Sequence, residues 1–189
     1  MAVELKRHRF TRAEYHRMAE TGILSPDARV ELIDGEIVEM SPIGGPHVAA
    51  VDRLNRIFTR GVGDDVIVRV QGPIALSNDG EPEPDVVLLR YREDFYADDH
   101  PSEEAVLLIV EVADTSESYD RRTKAPLYAQ HGIPELWLVD LNRDFVTRFT
   151  EPGPDGYAST RIFRRGEWLS PLAFPDLKVA VDAILGARR

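Results

Sequence analysis

The sequence lacks several features that would each define a class of protein. It has no cysteine, which excludes disulfide frameworks, zinc sites built on thiolates and a cysteine nucleophile, and which is compatible with a reducing compartment. No apolar run approaches the roughly 20 residues that a membrane-spanning helix needs. Residues 1–10 lack the apolar segment of a secretory signal. We therefore expect a cytoplasmic protein with no membrane partner.

Positive charge is also scarce. The chain carries 23 Lys and Arg against 33 Asp and Glu, which gives a formal net charge of −10. Because phosphates are bound through local lysine and arginine, this balance argues against non-specific DNA binding over the whole surface, but a localised basic patch or a cation-dependent site is compatible with it. At 189 residues, we expect a single domain over residues 1–189, with its core at residues 10–185.

Local patterns predict a mixed α/β fold. Two apolar runs, residues 105–112 and 136–141, flank a helical pattern that ends at Tyr128. A strand–helix–strand unit of this kind favours a parallel pair inside a central mixed β-sheet flanked by helices. Asp34-Gly35 between alternating runs is typical of a hairpin.

Other segments extend this fold at both ends of the chain. Thr11 and Glu14 have the spacing of a capping box, and Pro46 opens a second helix. Near the C-terminus we expect antiparallel strands at 145–149 and 157–163, and a closing helix at 179–185.

Charged side chains stand where three of these elements begin or end. Asp85 comes directly before the apolar run 86–89, and Glu111 lies near the end of the buried run 105–112. An ionised group at such a place is rarely tolerated unless a metal or a cation pairs it. Two carboxylates on neighbouring strands supply the oxygen ligands that Mg²⁺ prefers. Lys124, on the following helix, could position a water or stabilise charge on a phosphate.

This order of residues resembles the PD-(D/E)XK nuclease superfamily. Its signature is Pro-Asp, then an acidic residue, any residue and Lys; here Ala113 occupies the usual Lys position, and Lys124 is placed as a lysine that has migrated to the helix. The finer resemblance is to the Uma-type restriction endonucleases of bacteria, and it covers about residues 10–185. Five motifs carry it: ELIDGE at 31–36, SP with His47, EPEPD at 81–85, EV at 111–112 with Tyr119-Asp120 and Lys124, and GIPELW at 132–137.

The resemblance implies a restriction-endonuclease-like core and a magnesium-dependent endonuclease that hydrolyses phosphodiester bonds in DNA, with Mn²⁺ as a substitute metal. Asp85 and Glu111 would bind the metal, and the Val112 carbonyl would join them. Lys124 would orient the attacking water, and Glu31 would act as an outer-shell or second-metal carboxylate. The contacts to nucleic acid would come from four further residues: Arg121, Arg122, His47 and Gln71.

Each of these residues also has an ordinary structural interpretation. Asp85 fits a turn, Glu111 a strand end that reaches solvent, and Lys124 a surface pair with Asp120, which is equally suited to capping its helix. Glu31 fits the surface of the hairpin. His47 and Gln71 fit surface or packing positions, and Tyr128 and Trp137 fit the core.

Two alternatives remain for the whole protein. The first is a catalytically inactive module that kept the nuclease fold and binds DNA or a protein, which Ala113 and the acidic charge favour. The second is an interaction subunit with an acidic binding surface. We also expect a homodimer, because an edge strand such as 145–149 needs covering and because many nucleases that cut both strands use two sites.

Overall fold

The computed structural model describes residues 7–114 and 119–187. The helices are α1 (Arg12–Glu20), α2 (Gly45–Gly61), α3 (Ala125–Gln130) and α4 (Val181–Leu185), and a π-helical segment (Asp120–Lys124) leads into α3. The strands are β1 (Val30–Ile33), β2 (Glu36–Glu39), β3 (Val66–Val70), β4 (Val86–Arg90), β5 (Val106–Ala113), β6 (Glu135–Asp140), β7 (Phe145–Gly153), β8 (Gly156–Arg164), β9 (Trp168–Leu169) and β10 (Val179–Ala180). None of the described helices is long and apolar enough to cross a membrane.

A six-stranded mixed sheet forms the centre of the molecule. Its strand order is β3-β4-β5-β6-β7-β8. Strands β5 and β6 are parallel, and the other neighbouring pairs are antiparallel. The crossover between β5 and β6 carries the π-helical segment and α3, as the strand–helix–strand pattern predicts.

Each face of the sheet has its own apolar core. On one face, Leu54 and Phe58 of α2 pack with Val110 and Val112 of β5. On the other face, Leu127 of α3 packs with Ile109 and Ala113. Because side chains alternate along a strand, Glu111 belongs to the α3 face, and its carboxylate lies beside this apolar core.

The N-terminal elements confirm two local predictions. The Thr11–Glu14 capping box is present at the start of α1. Strands β1 and β2 form the hairpin, with Asp34 and Gly35 at φ 49° and 72°, the conformation of a type I′ turn. Backbone hydrogen bonds in both directions between Leu32 and Glu81 tie this hairpin to the segment that precedes β4.

Two predictions for the C-terminal region are wrong. Strand β7 is not an edge of the sheet, because β6 pairs with it on one side and β8 on the other. Residues 179–185 are not all helical: Val179 pairs with Leu169 in a short β-ribbon, and the helix begins at Val181. This ribbon brings Val179 and Leu169 into the core on the α2 face.

Candidate active site

The carboxylates of Asp85 and Glu111 line one cleft of about 520 Å³. Strands β4 and β5 pair up to Val86 and Val110, and each carboxylate belongs to the next residue beyond that pair. Asp85 therefore directly precedes β4, which is the neighbour of the strand that carries Glu111. The two side chains face the same cleft, as predicted. The other walls are formed by the β1–β2 hairpin, the start of α2 and the π-helical segment.

Two hydrogen bonds fix the Asp85 carboxylate. Its Oδ2 accepts from the Val112 backbone N–H at 2.8 Å, and its Oδ1 lies 3.0 Å from His47 Nε2. The Val112 N–H reaches this side chain because β4 pairing ends before it. The N–H and C=O of one residue in a strand point to the same side, so the Val112 carbonyl also faces the Asp85 edge.

Lys124 joins two acidic residues from different elements. Its Nζ lies 3.2 Å from Glu111 Oε1 and 3.0 Å from Glu31 Oε2. All three side chains are 6% exposed or less. This burial excludes a hairpin-surface role for Glu31, a solvent-facing Glu111 and a surface role for Lys124.

Further donors hold the two glutamates in place. The Tyr128 hydroxyl donates to Glu111 Oε1 at 2.7 Å, so Tyr128 does more than pack in the core. The Glu83 backbone N–H donates to Glu31 Oε2 at 3.2 Å. A buried carboxylate with such partners keeps one orientation.

Burial and charge shift the protonation of this group. Burial is the largest cause and raises the pKa of Glu111 to about 8; the Lys124 ammonium opposes that rise, and the charges of Asp120 and Asp85 add to it. Burial alone would lower the pKa of Lys124, but Glu111 and Glu31 raise it above its usual value. Lys124 is therefore a permanent cation at neutral pH.

The cleft carries an excess of negative charge. Only two of its described lining residues, Arg29 and Arg122, are lysines or arginines. Burial raises the pKa of Glu83, which also lines the cleft. The carboxylates that line it are seven: Glu31, Glu39, Glu83, Asp85, Glu111, Asp114 and Asp120. Such a set of oxygen donors suits a divalent cation. Without one, it would repel the phosphates of a nucleic acid.

The four predicted nucleic-acid contacts separate into two groups. His47 and the exposed Arg122 line the cleft. The side chain of Arg121 instead contacts Thr147 and the ring of Phe149 on β7. Gln71 is exposed and outside the cleft lining, and only its backbone N–H reaches Asp85, at the carbonyl oxygen.

Two buried polar atoms in the cleft have no hydrogen-bond partner within residues 7–114 and 119–187. They are Nδ1 of His47 and the hydroxyl of Tyr119. Buried polar groups are normally satisfied, so these two atoms are suited to contact a substrate or a water in the cleft.

Sequence reasoning missed Glu83 and Tyr119 as lining residues of the cleft and Tyr128 as the donor to Glu111. Glu83 could have been found from its spacing, because alternate residues of an extended segment share a face and Asp85 follows two positions later. Tyr128 follows Lys124 by four positions, which is the spacing of neighbours on a helix. Thr115, Ser116 and Ser118, whose side-chain oxygens are suited to capping the crossover helix, lie outside the described residues.

Asp120 and Lys124 lie in a π-helical segment, not in the regular α-helix that the pattern predicted. The Ala125 N–H bonds to the Asp120 carbonyl, five residues earlier. Insertions of this kind are frequent at functional sites. Asp120 is buried and lines the cleft.

A mixed sheet with two carboxylates at the ends of adjacent strands and a lysine on the crossover helix defines the class of restriction-endonuclease-like folds. The family model "Uma2: Putative restriction endonuclease" matches residues 12–182. The chain belongs to this family, as its motifs predicted.

A solved structure supports the fold. The crystal structure of "a putative nuclease belonging to DUF820" from Anabaena variabilis matches with a TM-score of 0.73 and 16% sequence identity, over 93% of this chain and 97% of that chain. At this identity the likeness establishes the fold alone. The comparison with curated proteins gave no match.

Proposed function

We propose that this protein is a magnesium-dependent endonuclease that hydrolyses phosphodiester bonds in DNA. The observation that carries the proposal is that Asp85 and Glu111 line one acidic cleft while Lys124, from a third element, contacts Glu111 from behind the cleft wall. Membership of a family described as restriction endonucleases supports the same reaction class.

The donors in the cleft fit a hard cation. Asp85 and Glu111 would hold Mg²⁺ or Mn²⁺ together with the Val112 carbonyl, which faces the same edge. When bound, the ion would polarise the scissile phosphate and lower the pKa of its bound water. It would also offset the excess of carboxylates, so that a phosphate can enter.

Lys124 has two roles in this proposal. It fixes the orientation of the Glu111 and Glu31 carboxyl groups, because its ammonium lies 3.2 Å and 3.0 Å from their oxygens. An ammonium has three N–H donors, and the third would orient the attacking water or donate to the phosphate as negative charge develops.

Residues at the cleft rim would position the DNA backbone. Arg122 is exposed and lines the cleft, so it would bind a phosphate oxygen. The Tyr119 hydroxyl would donate to a phosphate oxygen, and His47 Nδ1, whose Nε2 faces Asp85, would accept from a water; neither atom has a described partner. Arg121, which faces β7, would contribute less.

Calorimetric titration with Mg²⁺ tests the metal part of the proposal. The wild type should bind Mg²⁺, and Asp85→Asn should lose the binding. Asp155→Asn, at the exposed β7–β8 turn, is the matched control and should bind like the wild type. No Mg²⁺ binding by the wild type would favour the alternative of an inactive nuclease-fold module.

A further inference from the structure

A second group of metal-ligating side chains lies outside the cleft lining. His16 on α1, Glu81 before β4 and His100 in the β4–β5 connection form a group that we name the His–Glu–His cluster. Their ligand atoms all lie within 4.8 Å of one another. Glu81 is 5% exposed, whereas the side chains of His16 and His100 are 42% and 35% exposed.

Both imidazoles present Nε2 to the same carboxylate. His16 Nε2 lies 2.9 Å from each oxygen of Glu81, and His100 Nε2 lies 3.8 Å from Oε1. In a tetrahedral zinc site with bonds of about 2.0–2.1 Å, neighbouring ligand atoms lie about 3.3 Å apart. The two measured distances to Oε1 lie on either side of that value, so small side-chain movements would complete the geometry.

The chemistry of the cluster differs from that of the cleft. Two imidazoles and one carboxylate suit Zn²⁺ and other borderline transition metals, whereas the all-oxygen cleft suits Mg²⁺. Three protein ligands leave a fourth position for water.

Arg12 also contacts the cluster and has to be reconciled with a cation there. Its Nε donates to Glu81 Oε2 at 2.9 Å, and its Nη2 lies 3.4 Å from Asp99 Oδ1. Oε1 is the oxygen that both histidines approach, so Arg12 can stay on Oε2 as an outer partner of a ligating carboxylate. Asp99 offsets part of the Arg12 charge.

We propose that the His–Glu–His cluster binds one Zn²⁺ ion. The ion would join α1, the segment that carries Glu83 and Asp85, and the β4–β5 connection. No residue of α1 is buried, so apolar packing contributes little to the stability of α1. A metal ion bound between His16 of α1 and the other two ligands would stabilise the helix. Glu81 is bonded through its backbone to Leu32, the neighbour of Glu31, and the ion would therefore also brace a wall of the cleft.

Zinc titration of metal-stripped protein tests the proposal, with Co²⁺ absorption as a second readout of tetrahedral coordination. Wild type should bind one Zn²⁺ at this site, show a Co²⁺ spectrum and gain melting temperature. His16→Ala and His100→Ala should each weaken Zn²⁺ binding at least about tenfold and lose the Co²⁺ spectrum.

Two control variants assign the effect to the cluster. His131→Ala, at the end of α3, should bind Zn²⁺ like the wild type. Asp85→Asn should retain this zinc site while it loses Mg²⁺, which separates the cluster from the cleft. The proposal is overturned if wild type binds no Zn²⁺, or if the His16→Ala, His100→Ala double variant binds it with wild-type affinity.

Discussion

At the scale of the residue, the central feature is a buried cation shared by two buried carboxylates. A lysine on a helix is ordinarily solvated, and nothing in the local sequence marks Lys124 as buried. The family resemblance identified it as a site residue, but its contacts with Glu31 and Glu111 depend on how the hairpin and the crossover helix meet. Such long-range placement cannot be derived from spacing along the chain.

Replacing Lys124 should separate metal binding from catalysis. Lys124→Met leaves two buried carboxylates without their cation, which costs about 3–5 kcal/mol of unfolding free energy. Because the ammonium repels a metal ion, Mg²⁺ affinity should stay equal or rise, while the cleavage rate falls about 10²–10³-fold. Urea unfolding, calorimetry and single-turnover cleavage measure the three effects.

Lys178→Met, at an exposed lysine, is the control for this experiment and should change none of the three quantities. Cleavage by Lys124→Met at the wild-type rate would show that the migrated lysine has no part in the reaction.

A buried glutamate away from the cleft makes stability depend on pH. Burial is the main cause that raises the pKa of Glu135, although its hydrogen bonds from Leu172 N–H and Trp137 Nε1 oppose the rise. The folded state therefore holds this proton to higher pH than the unfolded state does. The protonated Glu135 therefore contributes fully to the unfolding free energy below the pKa of the unfolded chain, about 4.3. This contribution is lost as the pH rises through the higher pKa of Glu135 in the folded protein.

Glu135→Gln removes that titration. The unfolding free energy of the variant relative to wild type should increase as the pH rises from 4 to 7, measured by urea unfolding at each pH. Glu20→Gln, at an exposed position of α1, is the control variant. A difference that is independent of pH would contradict the shifted pKa of Glu135.

At the scale of the element, the hairpin and the crossover were predictable to different degrees. The Asp34-Gly35 turn fixes the β1–β2 register by its own chemistry, so local sequence was sufficient. The π-helical segment was not predictable, because its sequence is compatible with a regular α-helix and the extra residue per turn follows from tertiary packing. That packing also buries Asp120 and Lys124.

Gly35 should be far less tolerant of alanine than a comparable glycine elsewhere. Its φ is +72°, and an added Cβ would lie 2.6 Å from Arg9 Cβ and 3.1 Å from Arg9 Cα. Gly132 has φ +70°, and a Cβ added there would meet no atom within 4 Å. Gly132→Ala should therefore lower the unfolding free energy only by the cost of a left-handed alanine, about 1–2 kcal/mol. Gly35→Ala should lower the unfolding free energy clearly more, as measured by urea unfolding. Equal losses for the two variants would show that Arg9 moves away from the added Cβ without strain.

At the scale of the whole molecule, sheet order decides which strand is available for association. The sequence predicted two antiparallel strands near the C-terminus, but the choice of 145–149 as an edge strand was wrong. In the structure β7 is mostly buried, whereas most β8 residues are exposed or half-buried. The edges of the sheet are β3, which is half-buried, and β8, so β8 is the more exposed edge that needs covering.

We expect a homodimer formed through β8. Exposed edge strands pair readily with a second copy, and Ile162 on β8 is 44% exposed. Sedimentation at tens of micromolar should show a dimer for the wild type and a monomer for Ile162→Lys. Ile23→Lys, at a residue that is 71% exposed, should remain dimeric. Sedimentation of the wild type as a monomer would contradict the homodimer.

A cleavage assay is the direct test of whether the acidic cleft hydrolyses DNA with a divalent metal. Metal-stripped wild type and Asp85→Asn are incubated with circular plasmid DNA and with a DNA pool of random sequence, in Mg²⁺ or in EDTA. We predict that the wild type cleaves DNA in Mg²⁺ but not in EDTA, and that Asp85→Asn cleaves at a rate at least about 10²-fold lower. Wild-type cleavage in EDTA, equal cleavage by Asp85→Asn, or no cleavage of either substrate in Mg²⁺ would contradict it.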